Sequence, residues 1–165
     1  MAVSGTVMVV GSVTNSTDAN DQNFEQNAGA AFVFEKINGV WVQTAKLVAA
    51  DRAGGPGADY YKFGYAVAVS GGTIVVGSPH NYTDANLMNS KNQAGAAYVF
   101  EKVANVWTQK QKIVATDRDN ADGFGNAVAI AGDALMVGSN SDTDANSKAI
   151  DSLLNYETVK YFGNE

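Results

Sequence analysis

The chain has 165 residues, with 11 Lys plus Arg against 17 Asp plus Glu and a formal net charge of −6. That balance lacks the basic excess that recognition of nucleic acid or anionic lipid draws on. Cysteine is absent and histidine occurs once, which removes disulfides, thiolate metal sites and cysteine nucleophiles and confines any Ser-His-Asp arrangement to His80. No apolar run approaches the ~20 residues of a membrane-spanning helix. The opening MAVSGTVMVVGSV has no basic n-region and does not read as a secretory signal.

In chain order, the first organising feature is a repeat. AGAAFVFEK from Ala28 returns as AGAAYVFEK from Ala94, Trp41 as Trp107, and Asp51-Arg52 as Asp117-Arg118, all 66 residues on. Sixteen of the twenty-six positions in 27–52 are identical in 93–118. The segment before it occurs three times, as AVSGTVMVVGS, AVAVSGGTIVVGS and AVAIAGDALMVGS, the third copy shortened between Arg118 and Phe124.

Each unit predicts four short strands. Ala66–Val69 runs through the turn Ser70-Gly71-Gly72 into Thr73–Val76, and a polar loop leads to a third strand, Ala96–Glu101. There, alternation puts Tyr98 and Phe100 on one face and Ala97 and Val99 on the other. Asn38-Gly39 reads as a type I′ hairpin turn, with Ala104-Asn105 in its place in the second copy. The fourth strand, Trp107–Ala115, sets Thr108, Lys110 and Lys112 against Trp107, Gln109, Gln111 and Ile113, the pattern of an outer strand with one wet face.

Four-stranded antiparallel units in tandem predict an all-β fold of β-propeller-type blades. Phe63-Gly64 and Phe124-Gly125 each precede a strand, and Gly77-Ser78-Pro79 closes the next one. With AVAVSG, VVGSP, GAAYVFEK and W-x-Q, this resembles the FG-GAP repeat, the blade unit of integrin α-subunit propellers and many secreted bacterial proteins. The resemblance covers roughly residues 1–146 and implies an extracellular propeller serving adhesion or recognition. It departs from the calcium-bearing form of the repeat, which has an Asp-rich loop where this chain has Ser70-Gly71-Gly72 or Ala131-Gly132-Asp133. The divisions expected are a clipped first blade over 1–50, a complete second over 51–116, half a third over 117–146 and a divergent tail over 147–165. About two and a half repeats make an incomplete propeller, since closure takes ~4–8 blades. In the tail, Ile150, Leu153 and Leu154 fit one face of a short helix, whereas Tyr156–Phe162 fits a substitute strand.

The candidate sites each have a plain structural alternative. The motif TDAN recurs at 17–20, 83–86 and 143–146, so Asp18, Asn20, Asp84, Asn86, Asp144 and Asn146 offer hard oxygen ligands for Ca²⁺. The same residues also build Asx-turns that need no ion. Asp117, Asp119 and Asp122 before Gly123 form a second candidate Ca²⁺ cluster, without the downstream Glu of an EF-hand. Asn15 and Asn81 stand in N-glycosylation sequons that the repeat copies together. The recurring Phe32, Phe34, Trp41 and Tyr98, Phe100, Trp107 suit inter-blade packing better than a sugar platform. Tyr60 and Tyr61, in a loop, are the better candidates for ligand contact. His80 reads as a solvated loop histidine, and no nucleophile elbow, P-loop or HExxH motif is present.

The functional expectation is a non-enzymatic extracellular binding or adhesion module, requiring no cofactor, that self-associates as a homo-oligomer or packs on neighbouring blades. Its ligand would be protein or carbohydrate. The alternative is a structural subunit whose partial blades complete one another in a ring or filament, or a fragment of a longer propeller.

Overall fold

The computed structural model describes residues 1–52 and 61–141 in full, together with the backbone of the strand Tyr156–Lys160. Every regular element among them is a strand, and no helix occurs among the described residues. The first sheet holds β1 (Ala2–Ser4), β2 (Val7–Ser12), β3 (Ala30–Ile37) and β4 (Val40–Leu47), ordered as in the chain. The second repeats it with β5 (Val67–Ser70), β6 (Thr73–Ser78), β7 (Ala96–Val103) and β8 (Val106–Ile113). The third has β9 (Ala127–Ala131), β10 (Ala134–Gly138) and β11 (Tyr156–Lys160). All pairings between the named strands are antiparallel, so the all-β reading with tandem four-stranded blades is correct.

The local signals act as their chemistry requires. Asn38 and Gly39 have φ of 50° and 85°, and Ala104 and Asn105 have 47° and 65°, the two positive values in succession that a type I′ turn demands. Each β3–β4 type pairing slips at one point, between Val33 and Phe34 and again between Val99 and Phe100. This shared bulge adds local twist at the same place in both blades. In the tail, Ile150, Leu153 and Leu154 lie outside the described residues, and Tyr156–Lys160 forms a strand within the span expected for one. Its register sets Val159 opposite Leu135, where Phe100 stands opposite Ile74 in the second sheet. The third sheet thus has three strands where two were expected.

The core is divided between the two gaps that separate the sheets. In the first, Val9, Ala31 and Val33 from one blade meet Ile74, Val76, Tyr98 and Phe100 from the next. Phe63 packs edge-on to both aromatics, with ring centroids 5.4 Å from Tyr98 and 6.0 Å from Phe100. Tyr98, Phe100 and Phe63 are essentially sealed from solvent, each contributing about 1.5–3 kcal/mol through burial. Val75, Ala97 and Val99, on the other face of the second sheet, meet Phe124, Leu135 and Val137 of the third. Alternation along β7 therefore assigns opposite side chains to opposite gaps, as the sequence predicts.

The FG dipeptide is where one blade is fastened to the next. Gly64 and Gly125 adopt φ of 90° and 91°, and a Cβ on either would run into the carbonyl oxygen of Ala30 or Ala96 in the preceding blade. Their amides donate to the carbonyls of Gly77 and Gly138 at 3.1 and 3.0 Å, within their own blades. The phenylalanine beside each glycine fills the gap, and the glycine lets the two backbones touch.

Candidate functional site: the junctions between blades

The repeated Asp-Arg pair splits its two charges between blades. Arg52 turns back on the loop of the first blade, donating from Nη1 to the Asn23 carbonyl at 3.1 Å. Arg118 does the same with the carbonyls of Asn89, at 2.7 Å, and Tyr82, at 2.5 Å. Asp51 goes the other way, into the second blade. Its carboxylate accepts from Lys112 Nζ at 2.7 Å and Tyr98 Oη at 2.8 Å, with Asn81 Nδ2 and Thr83 Oγ1 at 3.4 Å. Both charged side chains are almost fully enclosed, at 8% exposure for Asp51 and 5% for Lys112. Burial lowers the Lys112 pKa, opposed by its bond to Asp51. Burial, and then the adjacent Asp51 charge, hold the Tyr98 phenol well above its ordinary pKa. A carboxylate from the turn that leaves β4 thus sits in a socket made by the second blade.

The first blade has the same socket at Asn15, Thr17, Phe32 and Lys46, sixty-six residues earlier. There Lys46 bonds Thr17 and Asp21, both at 2.7 Å, and Asp21 is 79% exposed. Position 87, the counterpart of 21, is leucine. In the first blade the lysine takes its carboxylate from its own loop; in the second it takes it from the neighbouring blade.

A second contact crosses the same gap nearer the outer strands. Glu35 accepts from Lys102 Nζ at 2.6 Å and Trp107 Nε1 at 3.2 Å, and Thr44 steadies it at 3.0 Å. The Lys102 bond leads in lowering the Glu35 pKa below 4.5, with help from Trp107. Small contacts recur too: Gly71 donates to Ser4 Oγ and Gly132 to Ser70 Oγ, at 3.4 and 3.3 Å.

The TDAN aspartates hold their own loops. Asp18 accepts from the amides of Asn20 and Gln22 at 2.8 and 2.9 Å and from Asn23 Nδ2 at 2.5 Å. Asp84 repeats this with Asn86, Met88 and Asn89 at 2.8, 2.9 and 2.7 Å. The backbone bonds from Gln22 and Met88 are the foremost cause of the depressed pKa of each carboxyl. Asn20 and Asn86 contribute backbone amides to these turns. Asp144 and Asn146 lie outside the described residues. In the other acidic cluster, Asp117 is exposed, and Asp119 pairs with Lys91 at 3.1 Å. Asp122 is buried, and its side chain accepts from the Asp119 amide. Among the described residues, no three His, Cys, Asp or Glu side chains converge in a way that could hold a metal ion.

Asn81 is 2% exposed and its Nδ2 donates to Tyr98 Oη at 2.9 Å, so a glycan there would have to displace the socket. Asn15 is half-buried, and its Oδ1 accepts from the Thr17 amide at 3.1 Å. Tyr60 lies outside the described residues. Tyr61 is buried against Tyr82, with ring centroids 5.4 Å apart. Of the repeated aromatics, Tyr98 and Phe100 are packed between blades, whereas Phe32 and Phe34 are only half-buried and Trp41 is 37% exposed. They belong to the face of β3 and β4 turned away from the second blade. His80 is half-buried rather than free in solvent, and Lys62 Nζ lies 3.4 Å from its Nε2.

Sequence reading singled out Asp51-Arg52 as a repeated pair without seeing that its aspartate crosses to the next blade. The available signal was joint recurrence: Asn15, Thr17 and Lys46 all return unchanged as Asn81, Thr83 and Lys112. No helix among the described residues is long and apolar enough to cross a membrane. A family model described as FG-GAP repeat matches residues 41–100 and 107–151, more than half of the sequence. With Phe-Gly pairs fastening sheet to sheet and antiparallel four-stranded units in tandem, the chain belongs to the FG-GAP repeat family.

Proposed function

We propose that the chain is a non-catalytic extracellular binding or adhesion module whose first blade takes a further blade of the same kind, a second copy of the chain included. The observation that carries this reading is the outward face of the first sheet. Phe32, Phe34 and Trp41 stand there half-exposed, at the positions where Tyr98, Phe100 and Trp107 of the second sheet are covered by a neighbour. Val3 adds 54% exposure beside them, and Lys36 lies 5.9 Å above the Trp41 ring, as Lys102 lies over Trp107 at 6.0 Å. An apolar sheet face with a cation-bearing rim matches what the first blade already grips in the second.

The same face favours a second reading, a structural subunit whose blades stack into rings or filaments. Head-to-tail contacts close if the rotation allows and otherwise propagate. Sedimentation velocity on the wild type and on Phe34→Asp tests both. The proposal expects discrete multiples of the 17.2 kDa chain for the wild type and a monomer for the variant. A ladder of ever larger species that the variant also abolishes favours the filament. A monomeric wild type at every concentration overturns both.

A further inference from the structure

The junction between the second and third sheets carries a second feature at its loop end. A cavity of about 260 Å³ lies there, lined by Lys62, His80, Gln93, Asn126 and Asn140 among others. We infer that this cavity is a binding site for an acidic sugar, its carboxylate held by Lys62, which His80 Nε2 orients, and its hydroxyls by the three amides.

The chemistry follows from what the lining contains and lacks. The protein is acidic overall, yet among the described residues no carboxylate side chain lines the cavity. Lys62 makes no ion pair among the described residues, and its one polar contact is His80 Nε2. An ammonium can only donate, so that contact leaves Nε2 as acceptor and the proton on Nδ1. Nδ1 is buried and has no partner. The ring's own donor is thus sealed from the cavity, and its role there is to hold the Lys62 ammonium, which without a counter-charge is a ready anion contact. Gln93, Asn126 and Asn140 each offer donors and an acceptor, the pairing that vicinal hydroxyls use. The volume falls below the ~300–1,000 Å³ of sites for drug-sized ligands, which suits a single ring.

Gly123 stands where the preceding junction has Lys62, and both hold left-handed φ, at 68° and 51°. A Cβ on Gly123 would strike Asn140 Oδ1. The glycine therefore lets the asparagine reach into the space that a side chain would occupy. His80 likewise has Thr14 as its counterpart in the first blade, so the duplicated framework does not account for it.

This inference gives the binding reading above a location and a ligand class, and it rests on that reading. Titration calorimetry on the full chain with glucuronate, glucose and N-acetylaspartate amide tests it, with sedimentation on the same samples. Glucuronate is expected to bind, glucose to bind at least about tenfold more weakly, and Lys62→Gln to lose at least about tenfold in glucuronate affinity while keeping the wild-type melting temperature. His80→Asn, a second variant, is expected to lose affinity in the same direction. Equal binding of glucose overturns the charge assignment, and equal binding of the aspartate amide overturns the sugar. No glucuronate binding by a folded wild type overturns the site, whatever the native mass. A monomer that binds glucuronate leaves the site standing and removes only the self-association.

Discussion

Replacing Asp51 with asparagine would remove the charge from the socket while keeping its shape. Lys112 would then be a buried ammonium, 5% exposed, with no counter-ion and only the 2.6 Å bond to Thr83 Oγ1 and the new amide as partners. Removing one member of a buried pair costs about 3–5 kcal/mol. The amide keeps one acceptor oxygen, so about 3 kcal/mol is expected here. For a chain of this size each kcal/mol moves Tm by about 2–4 °C, giving a fall of about 6–12 °C. Asp119→Asn is the internal control, because its pair with Lys91 leaves both side chains open to water, at 54% and 42% exposure. Its loss should move Tm far less. Asp51→Asn combined with Lys112→Met should recover most of the single-variant loss, since no charge is left stranded. Differential scanning calorimetry on the four proteins reads all of this. Equal small shifts for Asp51→Asn and Asp119→Asn, or a double variant that loses the sum, would refute the socket as the charge that fixes the junction.

Gly125→Ala should cost at least about 2 kcal/mol, from the left-handed φ and the collision with the Ala96 carbonyl, whereas Gly72→Ala, with open space around it, should be neutral or slightly stabilising by denaturant titration. Asp84 and Glu35 titrate below their ordinary 3.8 and 4.5 in the folded protein, held by the Met88 amide and by Lys102 respectively. Their contribution to stability is therefore complete above about pH 5 and drains away as the pH falls through the folded values, so Tm measured down to about pH 3 should drop steeply, and a flat profile would contradict this. Because the oxygens of Asp84 already accept two amides and Asn89, adding a chelator should leave Tm unmoved, and a clear fall on chelation would restore an ion to these loops.

The repeat, the strand order and the I′ turns were legible because each is written in local pattern: alternation over a few residues, a tight pair at the tip, a copy at fixed spacing. Tyr98 and Phe100 could be assigned to one face by counting alone. The socket could not, because Asp51, Asn81, Tyr98 and Lys112 meet only once two sheets are stacked. The difference between Asp21 and Leu87 was visible in the repeat, but its meaning depends on knowing where Lys46 points. At the tail, propensity alone did not fix a strand, and pairing to the free edge of β10 made one over Tyr156–Lys160. His80 read as solvated for the same reason that the cavity around it was unreadable. It is made by loops from two blades, with Gly123 opening the space.

The central claim is that the outward face of the first blade is an interaction surface, and the emission of Trp41 reports on it directly. In a Trp107→Phe background Trp41 is the only tryptophan, and it is 37% exposed in the isolated chain. As protein concentration rises, the account predicts a saturating blue shift as a further blade covers the ring, absent when Phe34→Asp is added. Emission that stays that of an exposed indole across the whole concentration range would contradict it.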